Sequence, residues 1–264
     1  MIMFSALLTL ALTGAASPSP GYFSHLTRPR VAQLSVARGG GPVILIVVDA
    51  MRPDHLSAYG YERPTTPAIK ALADDGVVLT NYFVNGNWTR PSTASLVTGL
   101  MPAEHGVESE QDKLAEQYVT LAETLRDLGV PTGAVVGNGN AGSAFGLGQG
   151  FSYYADTVNH WQGLPSAEQV TELALPFVRE HQSEPFFLML FFVDAHNPYG
   201  APPPYEDMYV RDPTAKLVRS PHWEVGRYTP AEIERMQATY DGALRYTDET
   251  LGKFFATLKE LGIY

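Results

Sequence analysis

A hydroxyl side chain stands at the entrance of a short predicted helix, in residues 87–92 (NWTRPS). Pro91 suits the first position of a helix and Gly99 suits the position that ends one. Thr89 is therefore expected where free backbone N–H groups and the positive end of the helix dipole meet. This pattern is typical of a nucleophile that faces a tetrahedral oxyanion such as phosphate or sulfate. A surface helix capped by Thr89 is the alternative interpretation.

An acidic residue ends an apolar run further upstream. Residues 43–48 (VILIVV) follow Pro42 and lead into Asp49. Such a run is typical of a strand that is buried on both faces of a parallel sheet. The carboxyl ends of these strands form the edge where open α/β sheets bind ligands. A carboxylate at this edge suits a hard divalent cation, although a helix cap or a loop hydrogen bond is the simpler role for Asp49.

Helical and strand patterns alternate along the chain and would position these residues. Helices are predicted at 65–75, 120–128, 166–181 and 229–261, and strands at 77–84, 131–136 and 185–193. This alternation predicts an α/β fold, with a mostly parallel sheet flanked by helices on both faces. His196 follows the 185–193 strand. We therefore expect it at the same sheet edge as Asp49, where it could donate hydrogen bonds to substrate oxygens.

Short motifs follow one another in a characteristic order from residue 42 to residue 264. In chain order they are Asp49-Ala50-Met51-Arg52-Pro53-Asp54, Thr65-Thr66-Pro67, Thr89-Arg90-Pro91-Ser92, Leu96-Val97-Thr98-Gly99, Pro102 with His105-Gly106, Asp194-Ala195-His196-Asn197-Pro198-Tyr199, and the helix from Tyr240 to Asp248. This series resembles the sulfatase-like branch of the alkaline phosphatase superfamily.

The resemblance implies an alkaline-phosphatase-like fold and a metal-dependent hydrolase or transferase that acts on phosphate or sulfate esters. It implies Thr89 as the nucleophile, and Asp49 and Thr89 as ligands of a divalent ion (Ca, Mn, Mg or Zn). His196 and Arg90 would hold the anion, although an exposed loop position is the alternative for Arg90. The expected partner is a small anionic ester, with lipid-linked and glycan-linked esters included.

Two departures from the family pattern bear on the chemistry. Sulfate-cleaving members use a formylglycine made from Cys or Ser, whereas this chain has no Cys and carries Thr89 at the matching position. A threonine ester must be broken by a second in-line attack, which phosphoryl intermediates accept readily. In addition, Ala50 replaces a frequent second Asp, so one metal ligand is absent. These differences favour phosphoester chemistry over sulfuric ester hydrolysis.

Two other functions remain open at this point. One is a non-catalytic remnant of such an enzyme. The other is a dinucleotide-binding α/β protein, because residues 137–142 (GNGNAG) match G-x-G-x-x-G after a predicted strand. The residues that follow, 143–150 (SAFGLGQG), are too rich in glycine for the helix that a dinucleotide site requires.

Composition is that of a globular domain, with 45% hydrophobic and 17% charged residues. The net charge of −10 argues against a nucleic-acid partner, which requires a basic surface. No pattern in the sequence indicates an oligomeric state.

Three segments are expected along the chain. Residues 1–20 form a signal peptide or another apolar N-terminal segment, and residues 21–41 form a linker rich in Pro, Ser and Gly. Residues 42–264 form the N-terminal portion of a sulfatase-like catalytic domain. The resemblance implies a truncated C-terminus, because the strand with the remaining metal ligands would begin near Tyr264. We expect an exported protein, periplasmic or extracellular, or a membrane-associated one.

Overall fold

A computed structural model describes residues 40–156, 165–218 and 227–264. The predicted N-terminal segment 1–20 and nearly all of the predicted linker 21–41 lie outside these residues, and both assignments stay predictions. Within the described residues, none of the helices is both long enough and apolar enough to cross a membrane.

Four parallel strands form one sheet in the described part of the chain. They are β1 (Val43–Val48), β2 (Thr132–Val136), β3 (Tyr153–Asp156) and β4 (Phe187–Phe192), in the spatial order β1-β4-β2-β3. The predicted parallel α/β sheet is thereby confirmed. All six residues of β4 are buried, because β4 lies between β1 and β2.

The first strand lies at the edge of the described sheet. Its side chains do alternate between two apolar cores, but all six residues are only half-buried, because β4 is its one pairing partner among the described strands. The prediction of a strand buried on both faces was therefore too strong. The amide of Asp49 extends the pairing by one residue, with its N–H 2.9 Å from the carbonyl oxygen of Phe192.

Six helices are described. They are α1 (Pro67–Asp74), α2 (Thr89–Thr98), α3 (Pro102–His105), α4 (Leu121–Asp127), α5 (Ala167–Glu180) and α6 (Pro230–Glu260), and short 3-10 turns lie at Pro53–His55, Ser57–Tyr59, Gly139–Ala141, Ser143–Phe145 and Tyr205–Asp207. Hydroxyl side chains cap three of the helices, because Thr120, Ser166 and Thr229 each accept the N–H three residues further on. These local signals explain why the predicted starts of these three helices are accurate.

The helices cover both faces of the sheet, as predicted. Alternate side chains of β4 separate the two cores, with Leu188, Leu190 and Phe192 packing towards α1, α5 and α6. The odd-numbered residues of β4 pack on the other face, towards α2 and α4. The carboxyl ends of β1, β4 and β2 therefore meet at one edge, between the two layers of helices.

The predicted strand at residues 77–84 does not form. The segment is irregular, and Val77, Phe83 and Val84 are 70%, 82% and 68% exposed. The reason is that strand propensity acts through pairing and packing, and no described strand pairs with this segment. The chain thus exposes a run of large apolar side chains beside the start of α2.

Candidate active site

The helix that carries Thr89 begins earlier than the sequence predicts. Thr89 is its first residue, after Trp88 in extended conformation, so Pro91 takes the third helical position instead of the first. Pro91 is still tolerated there, because N–H groups in the first turn have no partner within the helix. Gly99 ends the helix with φ of 72°, as predicted.

The structure brings Thr89 and Asp49 together. The Thr89 hydroxyl donates to Oδ2 of Asp49 at 3.1 Å. Asp49 follows β1 directly, and Thr89 opens α2, so both side chains lie at the carboxyl edge of the sheet. This is the edge where the sequence predicts chemistry.

A third side chain, which no sequence pattern singles out, completes this group. Asn138 is 7% exposed, and its Nδ2 lies 2.5 Å from Oδ2 of Asp49 and 3.3 Å from Oγ1 of Thr89. Its Oδ1 accepts the Asn140 N–H at 2.9 Å, which directs the amide nitrogen towards the carboxylate. The available signal was its place just after β2, at the same edge as Asp49.

Asp49 and Thr89 suit a hard divalent cation in part. Both offer oxygen, and both hydrogen bonds to the Asp49 carboxylate end on Oδ2. Oδ1 of Asp49 accepts no hydrogen bond from the described residues. Across residues 40–156, 165–218 and 227–264, no group of three or more His, Cys, Asp or Glu side chains could hold a metal. These two residues therefore supply only part of a coordination sphere.

The described contacts of the Arg90 side chain are with groups other than Asp49 and Thr89. Its Nη1 donates to the carbonyl oxygens of Glu110 and Asp112, and its Nη2 donates to Oδ1 of Asn140 at 2.8 Å. The guanidinium also stacks on the ring of Phe145, 3.5 Å from its centroid, and the residue is only 4% exposed. In this arrangement Arg90 joins α2 to two loops, whereas the sequence predicts that it holds the anion.

His196 follows β4 in the chain, in the loop that begins at Val193. Its backbone N–H donates to the Val193 carbonyl at 2.9 Å, and its Nδ1 lies 2.7 Å from the carbonyl oxygen of Asn197. A carbonyl can only accept, so Nδ1 carries the proton and Nε2 is left with its lone pair in the neutral ring. The described contacts do not include a direct one with Asp49 or Thr89.

His105 is hydrogen-bonded to α2 through Ser95. The Val107 N–H donates to its Nδ1 at 3.1 Å, so Nε2 carries the proton and donates to Oγ of Ser95 at 3.0 Å. Burial lowers the pKa of His105, because desolvation disfavours the charged imidazolium. The imidazole thereby joins α2 to the backbone just after Gly106.

The glycine-rich loop after β2 does not form a dinucleotide site. It contains two 3-10 turns, Gly139–Ala141 and Ser143–Phe145, in place of the helix whose N-terminus would bind a pyrophosphate. Asn138 in this loop instead contacts the Asp49 carboxylate. The dinucleotide-binding alternative is therefore not favoured.

Comparisons with known proteins agree with this architecture. Residues 42–264 match the family model described as Sulfatase. The multifunctional alkaline phosphatase superfamily protein PehA of Trinickia caryophylli is 25% identical over 83% of this chain and 60% of its own length. Human N-sulphoglucosamine sulphohydrolase is 25% identical over 89% of this chain and 48% of its own length.

The phosphonate monoester hydrolase of Agrobacterium radiobacter has the same fold. Its crystal structure superposes with a TM-score of 0.68 at 22% identity, over 84% of this chain and 60% of the hydrolase. Fold and sheet-edge residues thus define an alkaline-phosphatase-like α/β protein. The chain belongs to the sulfatase family, of which residues 42–264 match the model. It spans 48–60% of the length of these three relatives.

Proposed function

We propose that the protein is a metal-dependent phosphoester hydrolase or transferase with Thr89 as its nucleophile. The observation that carries this proposal is the 3.1 Å hydrogen bond from the Thr89 hydroxyl to Asp49 at the N-terminus of α2. It combines a hydroxyl, a carboxylate and a helix N-terminus, which is a favourable place for a tetrahedral anion.

Each of the three side chains has a distinct role in this proposal. Oδ2 of Asp49 accepts the hydroxyl hydrogen of Thr89. A lone pair of Thr89 Oγ1 is therefore free to face the substrate. The Asn138 amide donates a hydrogen bond to the same carboxylate oxygen and thereby fixes the orientation of the carboxylate. A divalent cation bound by Asp49 and Thr89 would supply positive charge to the transferring group and favour ionisation of the hydroxyl.

The unmodified threonine supports phosphate over sulfate esters. In the first step, Oγ1 of Thr89 forms a bond to phosphorus while the bond to the leaving oxygen breaks. In the second step, water or an acceptor alcohol forms a bond to phosphorus and the bond to Oγ1 breaks. A formylglycine hydrate instead releases sulfate by collapsing to an aldehyde, a route that is not open to threonine.

His196 is the proposed donor to the substrate or to the leaving oxygen. The Asn197 carbonyl fixes the proton on Nδ1 and orients the ring, which leaves Nε2 for the substrate. In its protonated form Nε2 donates a hydrogen bond to a developing oxyanion. The proposed substrate is a small anionic ester, with lipid-linked and glycan-linked esters included, and the proposed location is outside the cytoplasm or at a membrane.

The test of this function is a search for the covalent intermediate. The full-length protein is incubated with Mn²⁺ and an aryl phosphate, quenched in acid, digested, and analysed by mass spectrometry. We expect phosphate on Thr89, and we expect none in the Thr89→Ala variant. Turnover without phosphate on residue 89 would contradict the assignment of Thr89 as the nucleophile. Absence of turnover with any phosphate or sulfate ester would favour the non-catalytic remnant.

A further inference from the structure

One hydroxyl of the long helix α6 holds the turn that follows Asp49. The hydroxyl of Tyr240 accepts the backbone N–H of Arg52 at 2.8 Å and donates to the carbonyl oxygen of Ala50 at 2.9 Å. It thereby bridges the two residues that flank Met51. Because Ala50 is bonded directly to Asp49, this bridge lies one peptide from the proposed metal ligand.

The bridged turn has an unusual backbone conformation. Ala50 has φ of 57°, in the left-handed region that residues with a Cβ rarely adopt. A methyl side chain offers no hydrogen bond that could hold this conformation. The Tyr240 hydroxyl instead supplies two hydrogen bonds to the backbone of this turn, just beyond the last residue that pairs with β4.

Tyr240 is itself rigidly held. It is 7% exposed and packs with Leu56, Ala195 and Leu244. The ring of Tyr199, from the loop after His196, meets it edge-on with centroids 5.9 Å apart. Burial raises the pKa of Tyr240, because desolvation disfavours the phenolate, so the hydroxyl keeps the proton that it donates to Ala50.

The next residue of α6, Asp241, binds side chains of the segment 55–63. Asp241 is fully buried, and its carboxylate accepts from the Tyr61 hydroxyl at 2.7 Å and from Nη1 of Arg63 at 2.8 Å. Nδ1 of His55 lies 2.6 Å from its other oxygen. Two adjacent residues of one helix thus anchor both the turn after Asp49 and the segment 55–63.

We propose that Tyr240 is a positioning residue for Asp49. Its hydroxyl fixes the left-handed turn at Ala50, and this sets the direction of the Asp49 carboxylate towards Thr89 and a bound cation. The inference rests on the proposed role of Asp49 as a metal ligand. It adds a residue that lies about 190 positions away in the sequence and touches neither the nucleophile nor the substrate.

The test compares two variants of the full-length protein, each of which lacks the hydroxyl group of one buried tyrosine. Tyr240→Phe removes the bridge and keeps the ring. Tyr246→Phe is the matched control, because Tyr246 lies on the same helix, is 3% exposed, and packs against Tyr205 away from the turn. Hydrogen exchange of the Arg52 amide and the calorimetric affinity for Mn²⁺ are measured for both, together with the melting temperature.

We expect the Arg52 amide to exchange roughly five- to tenfold faster in Tyr240→Phe than in Tyr246→Phe. We expect Mn²⁺ affinity to fall about tenfold in Tyr240→Phe alone, in the range found for residues that orient metal ligands. The melting temperatures of the two variants should be similar. Unchanged exchange of Arg52, or an equal loss of Mn²⁺ affinity in both variants, would overturn the proposal.

The Asp49→Ala variant separates this inference from the proposed function. If it binds Mn²⁺ as tightly as the wild-type protein, the metal role of Asp49 is wrong. The exchange of the Arg52 amide then still decides whether Tyr240 holds the turn.

Discussion

Oγ1 of Thr89 lies 3.1 Å from Oδ2 of Asp49, although forty residues separate the two in sequence. The contact forms because β1 ends, and α2 begins, at the same edge of the sheet. Asn138 approaches the same carboxylate oxygen from the end of β2. The site is therefore assembled from the ends of three elements, each of which can be tested separately.

The nucleophile is tested by removing one hydroxyl. Thr89→Ala should lower kcat by at least about 10³-fold, because the variant lacks the oxygen that forms the covalent intermediate. The free energy of unfolding should change by only about 1 kcal/mol, the usual value of one hydrogen bond. Thr98→Ala, at the far end of α2, is the control and should keep its activity. Near-normal kcat in Thr89→Ala would rule out this nucleophile.

The chemistry is tested by comparing matched substrates. An aryl phosphate monoester or a bis-aryl phosphate should be turned over faster than the aryl sulfate with the same leaving group, because a threonine ester must be broken by a second displacement. The measurement is kcat/KM for each ester with one protein preparation. A preference for the sulfate, or a modification of residue 89 found by mass spectrometry, would contradict the phosphoester assignment.

The amide at residue 138 is tested by Asn138→Ala. The loss of this donor frees the Asp49 carboxylate to rotate, so we expect kcat to fall by about 10- to 100-fold, as for other residues that orient metal ligands. Asn85→Ala, at an exposed position, is the control for asparagine loss. Equal kcat in Asn138→Ala and the wild-type protein would show that the contact does not contribute to turnover.

The stability of the protein should depend on pH through Asp194. Burial raises the pKa of Asp194 to about 6, because desolvation disfavours the charged carboxylate. Oδ1 accepts the Ala167 N–H at 3.0 Å, whereas the buried Oδ2 has no hydrogen-bond partner among the described residues. The folded state therefore binds this proton more tightly than the unfolded state, whose pKa is about 3.9. The contribution of Asp194 to the free energy of unfolding should therefore be greatest below about pH 4. It should decline as the pH rises to about 6.

Substitution of Asp194 by asparagine tests this dependence. Asp194→Asn should raise the free energy of unfolding at pH 7.5 by up to about 3 kcal/mol, with no gain near pH 4. Asp248→Asn is the contrast: burial also raises the pKa of Asp248 to about 6, but both of its oxygens accept backbone N–H groups, from Ala68 and Ile69. The asparagine side chain has only one acceptor oxygen, so one of these two backbone N–H groups would lose its partner. Equal effects of the two substitutions in urea unfolding would refute the argument.

The exposed apolar segment should affect solubility. Phe83 is 82% exposed, and Val77 and Val84 of the same irregular segment are exposed as well. Phe83→Ser should reduce self-association of the 264-residue chain, because large exposed apolar patches promote aggregation. Its melting temperature should stay the same, since the side chain packs against little. Sedimentation velocity at several concentrations measures the effect, and an unchanged association constant would disprove it.

Local signals determined much of this fold from the sequence alone. The capping residues Thr120, Ser166 and Thr229 mark helix starts because their hydroxyls satisfy nearby N–H groups, an interaction that spans three residues. The apolar run of β4 and the ordered motifs from Asp49 onwards predict the parallel sheet and the family. Thr89 and Asp49 could be proposed as a pair because Asp49 follows a recognisable strand and Thr89 lies at the start of a recognisable helix.

The tertiary structure decided what depends on partners distant in sequence. Asn138 lies in a loop whose glycines resemble a dinucleotide motif, and only the order β1-β4-β2-β3 brings its amide to Asp49. The side chain of Arg90 could have turned either way, and the carbonyls of Glu110 and Asp112 determine its direction. Residues 77–84 have the composition of a strand, but a strand forms only where another strand completes its hydrogen bonds. Such long-range contacts leave no periodic signal in the sequence.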